Sequence, residues 1–243
     1  MTKMVYVGTV VTALLAGVCV LAMGQNTGGG DREMSVEESY RQAAVMMIIR
    51  EQSRADSMEM KFIALEYIGN AIERGNTGPE IQSALEYLAT EGSVNIIREN
   101  NRVINNYPEV RVKAAEYLGD MGTPEAKNLL IRLIRTEKEP MILKEVVKSL
   151  GKIGTNENNE TVYAISGVID RKHYLNQPDN LLAFSALNAY DKIAKAGGGL
   201  QDPMVIQTII NIAEGNYSPT VRNRAKQVLA NLREYASSGK GGN

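Results

Sequence analysis

Cysteine occurs once, at Cys19, and histidine once, at His173. A zinc site draws on several histidine or cysteine ligands, and a catalytic histidine needs an orienting carboxylate or a nucleophile, so neither chemistry can be assembled here. Tryptophan is missing and phenylalanine appears twice. So few aromatics speak against a compact mixed fold, and the residues that dominate instead, Ala, Leu, Ile, Glu, Lys, Asn and Arg, are largely ones that sit comfortably on helices. A charge excess is also lacking: Lys and Arg number 27 against 28 Asp and Glu. Long-range attraction to phosphate backbones needs a positive surplus, so nucleic acid is excluded as a general partner.

The one long apolar run lies at the start. Lys3 is followed by an almost unbroken apolar stretch from Met4 to Ala22, and Ala22-Met23-Gly24 offers small residues where a signal peptidase reads. Residues 1–24 are therefore expected to be a signal peptide cleaved before Gln25, which makes the protein exported and periplasmic. The alternative is an uncleaved membrane anchor, since some nineteen apolar residues at ~1.5 Å each nearly span the ~30 Å of bilayer hydrocarbon. Lipidation at Cys19 is a third reading, set against by Val18 where a lipobox wants a small residue. After cleavage the chain would hold no cysteine, which suits an oxidising compartment.

Residues 25–34 centre on Gly28-Gly29-Gly30 and read as a flexible linker, and 237–243, Ser-Ser-Gly-Lys-Gly-Gly-Asn, as a disordered tail. Between them, 35–236 should fold. Prolines punctuate this body at 79, 108, 124, 140, 178, 203 and 219, each where a helix can start. Thr123-Pro124, Asp202-Pro203 and Ser218-Pro219 add a capping residue, and Ser35 with Glu38 and Thr77 with Glu80 have capping-box spacing. The intervals 108 to 124, 124 to 140 and 203 to 219 are each 16 residues, enough for one helix and a short connection. Two such units make a helical hairpin of about 32 residues, within the range of solenoid repeats.

The stretches EMKFIALEYIGN from Glu59, EVRVKAAEYLGDMG from Glu109, MILKEVVKSLGKIG from Met141, LLAFSALNAYDKIA from Leu181 and TVRNRAKQVLANL from Thr220 share one register. Three columns fall at i, i+4 and i+8: Met60, Val110, Ile142, Leu182 and Val221; Ala64, Ala114, Val146, Ala186 and Ala225; Ile68, Leu118, Leu150, Tyr190 and Leu229. They lie along one helical face, and the small middle residue lets a neighbouring helix come close.

Pro108, Val110, Arg111, Ala114, Leu118 and Gly119, repeated in part by Pro219 to Leu229 and by Pro140 to Gly151, resemble the second helix of a HEAT repeat. The resemblance runs through most of residues 36–236. It implies an all-α, right-handed α-solenoid of about five HEAT-like hairpins plus an extra helix. The expected pairs are 37–54 with 58–74, 93–105 with 109–121, 124–136 with 140–153, 157–170 with 179–195 and 203–214 with 219–235, the extra helix being 79–90. It further implies that Lys61, Arg111 and Arg222, which share a column, join polar contacts between neighbouring repeats.

No chemistry stands out elsewhere. His173 falls in the longest expected connection of the repeat region, and the stretch from Arg171 to Asp179 is a candidate contact loop. Glu137 with Glu139, and Glu157 with Glu160, read as solvated helix ends and starts. Gly197-Gly198-Gly199 follows a helix and lacks the Lys-Ser/Thr of a phosphate loop, so it reads as a helix stop. Met46-Met47-Ile48-Ile49 is apolar on several faces and reads either as core or as an exposed edge.

Catalytic, metal and cofactor residues are therefore expected to be none. Tyr67, Glu116, Tyr117, Lys148, Lys152, Asn188 and Lys192 project beside the core columns and form the candidate protein-binding set. The expected function is a non-catalytic scaffold or adaptor of the periplasm or cell envelope, gripping a protein or peptide on the concave helical face, with no cofactor. Two alternatives stay open: an enzyme of a HEAT-like family, of the bilin-lyase or DNA-repair type, and a membrane-tethered spacer if the leader is retained.

Overall fold

A computed structural model of the chain describes residues 35–174 and 178–238. The expected signal peptide, the linker and residues 239–243 lie outside the described residues. Among those described, ten α-helices follow one another: α1 Val36–Ser53, α2 Met58–Glu73, α3 Pro79–Thr90, α4 Pro108–Met121, α5 Pro124–Thr136, α6 Pro140–Ile153, α7 Glu160–Tyr174, α8 Asn180–Ala196, α9 Pro203–Glu214 and α10 Pro219–Ser238. Two short strands, β1 Arg98–Glu99 and β2 Arg102–Val103, form a hairpin between α3 and α4. The chain divides into two units, Met1–Gln42 and Ala43–Asn243, and the packing below belongs to the second.

Proline sets most of the helix starts. Six of the seven occupy the first residue of a helix, where the missing N–H has no partner to lose. The hydroxyl of Thr123 accepts from the Ala126 amide at 3.2 Å, and the Asp202 carboxylate accepts from Met204 and Val205 at 2.9 and 3.3 Å. Ser35 caps α1 by accepting from the Glu38 amide at 3.1 Å. Thr77 does not cap α3: Gly78 holds that position, and the Asn76 side chain accepts from its amide instead. The last helix runs to Ser238, two residues into the expected tail.

The helices pack in two layers. The odd-numbered α3, α5, α7 and α9 contact one another in sequence order, as do the even-numbered α2, α4, α6, α8 and α10, and each odd helix from α3 on packs against the even one that follows. This is an all-α solenoid. Its seam is formed by the expected columns: Val110, Ile142, Leu182 and Val221, all five residues of the alanine column, and Ile68, Leu118, Leu150 and Tyr190 are buried. Tyr190 keeps its hydroxyl satisfied by Ser166 of α7 at 2.8 Å. Met60 departs from its column, being 41% exposed, while its neighbour Lys61 is fully buried.

Two expectations about the second repeat are corrected. Residues 93–105 do not form a helix; the stretch carries the β-hairpin, turned by Asn100 and Asn101 at φ of 48° and 67°. Successive positive φ values are what a two-residue hairpin loop demands, and asparagine tolerates them. Helix α3, expected to be extra, packs against α4 and is the first helix of that repeat. Likewise α7 extends to Tyr174, so His173 belongs to a helix in its backbone; its side chain, and residues 175–177 of the expected contact loop, lie outside the described residues.

Between repeats the even-numbered helices approach closely where the sequence reads Leu-Gly or Ile-Gly. A Cβ placed on Gly151 would lie 2.6 Å from the Ala189 Cα, and one on Gly119 would lie 2.7 Å from the Ser149 Cβ. Polar links add to this apolar seam. Lys61 Nζ pairs with Glu91 at 2.8 Å and donates to the Ser53 carbonyl at 3.2 Å; Arg111 Nε lies 3.2 Å from Glu137. Glu91 and Glu137 hold the same position, the C-cap of the next odd-numbered helix. Glu137 is thus a buried ladder member and not a solvated helix end. Arg222 shares the column but is exposed.

Candidate functional site

The outward face of the even-numbered layer carries the polar residues that flank the core columns. On α4, Lys113 donates to Glu116 at 2.9 Å, and its ammonium sits 4.6 Å from the Tyr117 ring centre. That hydrogen bond to Glu116 holds the Lys113 ammonium above its ordinary range. On α6, Lys148 donates to Glu145 at 2.9 Å, which likewise raises it, and Lys152 pairs with Asp120 of α4. On α8, Asn188 Oδ1 accepts from Arg224 Nε of α10 at 2.9 Å, and Asp191 pairs with Arg224 Nη2 at 2.8 Å. Asp191 also accepts from Asn231 at 3.0 Å and Tyr235 at 3.2 Å. Burial works to raise the Asp191 carboxyl, but the hydrogen bonds from Asn231 and Arg224 and the Arg224 charge outweigh it and hold it low.

Five of the seven sequence-predicted residues gather on this face. Glu116, Lys148, Lys152 and Lys192 line one depression with Asp120 and Glu145, and Lys148, Asn188 and Lys192 line a second with Ser185, Asp191 and Arg224. Lys148 and Lys192 belong to both. Tyr117 is half-buried, its ring covering Gly69 so that a Cβ there would meet the ring Cζ at 2.7 Å. Tyr67, 37% exposed on α2, lines neither depression. Sequence reasoning missed Asp191 and Arg224. Arg224 could have been found by reading the repeat register five residues ahead of the Leu118 column, where Lys113, Glu145, Ser185 and Arg224 align as a polar row.

A different concavity of about 670 Å³ separates α1 from α3, lined by Ala43, Met46, Met47, Pro79, Ala84 and Tyr87 among others. Of Met46-Met47-Ile48-Ile49 only Ile49 is buried, because four consecutive apolar residues point around the helix and not along one face. The β-hairpin also presents Val94, Ile96, Ile97, Val103 and Ile104 to solvent. Among the described residues no three acidic, histidine or cysteine side chains are placed to hold a metal ion, and no helix is long and apolar enough to cross a membrane.

A family model described as HEAT repeats matches residues 103–171. A search of curated proteins finds no match. Among solved structures, a de novo designed 16-helix transmembrane nanopore is 15% identical, with a TM-score of 0.26; the match covers 83% of this chain and 63% of the length of that one. So slight a likeness carries nothing about fold or function.

Proposed function

From the premise that this is a HEAT-repeat protein, we propose that it is a non-catalytic scaffold that holds a protein or peptide partner on the outward face of its even-numbered helices, in the cell envelope. The observation that carries this is the ribbon from α4 to α10, where lysines, carboxylates, an arginine and the Asn188 amide line adjoining depressions over a buried apolar seam. Long polar side chains on a stiff support can meet an extended partner at several points without reorganising the fold. Near balance of charge over the whole chain fits a polypeptide better than a nucleic acid. The envelope assignment rests on Lys3 and the apolar run from Met4 to Ala22, and detection of a mature N-terminus at Gln25 tests it.

The test of binding is photo-crosslinking in intact cells, with a photoreactive residue at position 116 or 152 on the ribbon, or at 128 or 135 on α5. Adducts to one envelope protein from 116 and 152, and none from α5, are expected. Adducts only to further copies of this chain, or only to cytoplasmic enzymes, would overturn the proposal.

A further inference from the structure

The second depression, about 330 Å³, lies between three successive even-numbered helices. Its floor is Ser185 and Ala189, one turn apart on α8, both small, with Gly151 of α6 pressed against Ala189. Longer side chains stand around this floor: Lys148 from α6, Arg224 from α10, Asn188 and Lys192 from α8. The hollow therefore follows from the small residues that let the helices approach.

Its lining is rich in donors and poor in acceptors. Asp191 is the one carboxylate there, and Arg224, Asn231 and Tyr235 already engage it. Asn188 spends its oxygen on Arg224, which leaves its amide N–H groups to donate. Lys148 uses Glu145 for one contact, keeps two N–H donors, and its side chain is 57% exposed. Lys192 is exposed and forms no ion pair among the described residues. The adjoining depression adds three carboxylates, Glu116, Asp120 and Glu145, engaged by Lys113, Lys152 and Lys148. In the hollow over Ser185 and Ala189 three cations, Lys148, Lys192 and Arg224, stand against Asp191, and Lys192 is the one without an ion pair among the described residues.

We propose that this hollow seats a carboxylate of the partner polypeptide, an aspartate or glutamate side chain, held by Lys192 and Lys148 with the Asn188 amide and Ser185 hydroxyl donating. The assignment rests on the proposed scaffold function and names the chemistry of its partner. Charge-assisted hydrogen bonds from two ammonium groups to one carboxylate are among the stronger polar contacts, and they orient as well as attract. Because Lys148 and Lys192 line both depressions, a chain anchored here can run on toward α4, where charges of both signs alternate.

The probe is a fluorescein-labelled peptide of alternating glutamate and serine with an amidated C-terminus, titrated with the full chain and read by fluorescence anisotropy. A saturable one-to-one isotherm is expected, weakened about tenfold by Lys192→Gln and by Lys148→Gln, as for the loss of one charge-assisted contact. Lys138→Gln, an exposed lysine after α5, should leave it unchanged, as should replacing the free amide C-terminus by a carboxylate. A glutamine-serine peptide should not bind. Thermal melts of each variant establish that the fold persists. Equal weakening by Lys138→Gln, or none by Lys192→Gln, overturns the proposal. Displacement of the peptide by acetate or inorganic phosphate at equal anion concentration overturns it too, because the site would then be one for small anions. Photo-adducts from positions 116 and 152, outside the seat, that persist in Lys192→Gln, without peptide binding, would refute the carboxylate seat and leave the scaffold standing; absence of those adducts in the chain with Lys148 and Lys192 intact would refute the scaffold itself.

Discussion

Replacing Gly151 by alanine tests whether the close approach of α6 and α8 is what the Leu-Gly pair serves. On an isolated helix the change should stabilise, since alanine exceeds glycine by about 0.5–1 kcal/mol in helical preference. Here the new methyl would fall 2.6 Å from the Ala189 Cα and 2.7 Å from its Cβ. The first of these is backbone, so no rotamer change relieves it, and forcing a methyl into a packed seam costs about 1–3 kcal/mol. The repulsion exceeds the propensity gain, and a net loss of about 1–2 kcal/mol should lower Tm by roughly 3–6 °C for a chain of this size. Gly167 on α7 supplies the control, because nothing lies within 4 Å of a Cβ placed there. Gly167→Ala should raise Tm by about 2 °C. Calorimetry with urea unfolding would read both. The partners sharpen the test. Gly119 faces the Ser149 Cβ and Oγ at 2.7 Å with the Cα at 3.0 Å, so Ser149→Gly should recover part of the loss in Gly119→Ala. Ala189→Gly should not rescue Gly151→Ala, since the offending Cα stays. A Gly151→Ala protein as stable as Gly167→Ala would refute the reasoning.

Other outcomes follow from the polar links. Glu137→Ala leaves Arg111 buried without its carboxylate and should destabilise by about 3 kcal/mol, whereas adding Glu137→Leu to Arg111→Met should recover part of the loss caused by Arg111→Met alone, as read by urea unfolding. Asp191 has its carboxyl held low in the folded state, so its contribution is present above the ordinary carboxylate range and lost as pH falls through the depressed value. The Tm difference between wild type and Asp191→Asn should therefore be full at neutral pH and shrink below about pH 4. Asn100→Val with Asn101→Val should unpair the hairpin, because branched residues resist positive φ, and the Ile104 amide, which donates to Ile97, should then exchange with solvent freely; both asparagines replaced by glycine should leave its protection intact.

Much of the fold was legible because it is written locally. Proline at a helix start and an apolar residue every fourth position depend on the segment alone, so α3 to α10 could be read with boundaries close to those observed. The hairpin of β1 and β2 was not, although Asn100-Asn101 was its signal: a helix over 93–105 was expected to pair with α4, and the partner is α3. Contacts that join one repeat to the next were half legible. The basic column of Lys61 and Arg111 announced a ladder, but Glu91 and Glu137 lie past helix ends a full repeat away, where no spacing within a helix points to them. Of the candidate site, Glu116, Lys148, Lys152, Asn188 and Lys192 came from reading the register beside the core columns. Asp120, Glu145 and Ser185 were passed over, and so was Arg224, although its polar row was there to be read; Asp191 was not legible, because its importance comes from pairing across α8 and α10.

The ladder also accounts for how the fold tolerates its insertion. Seventeen residues separate α3 from α4, where three separate α5 from α6. Arg111 donates to the Glu91 carbonyl at 3.0 Å and to the Asn106 side chain at 2.7 Å, so one guanidinium holds both roots of the inserted segment while its Nε faces Glu137. Asn105 ties the segment across, donating to the Asn95 carbonyl at 2.8 Å and accepting from the Ile97 amide at 2.9 Å. The cost of closing a loop grows only slowly with its length once its ends are fixed. A pair of helices clamped at Glu91 and Asn106 therefore packs as if joined by a short turn, and the hairpin beyond the clamp is free to carry exposed Ile96, Ile97 and Ile104 without disturbing the repeat register.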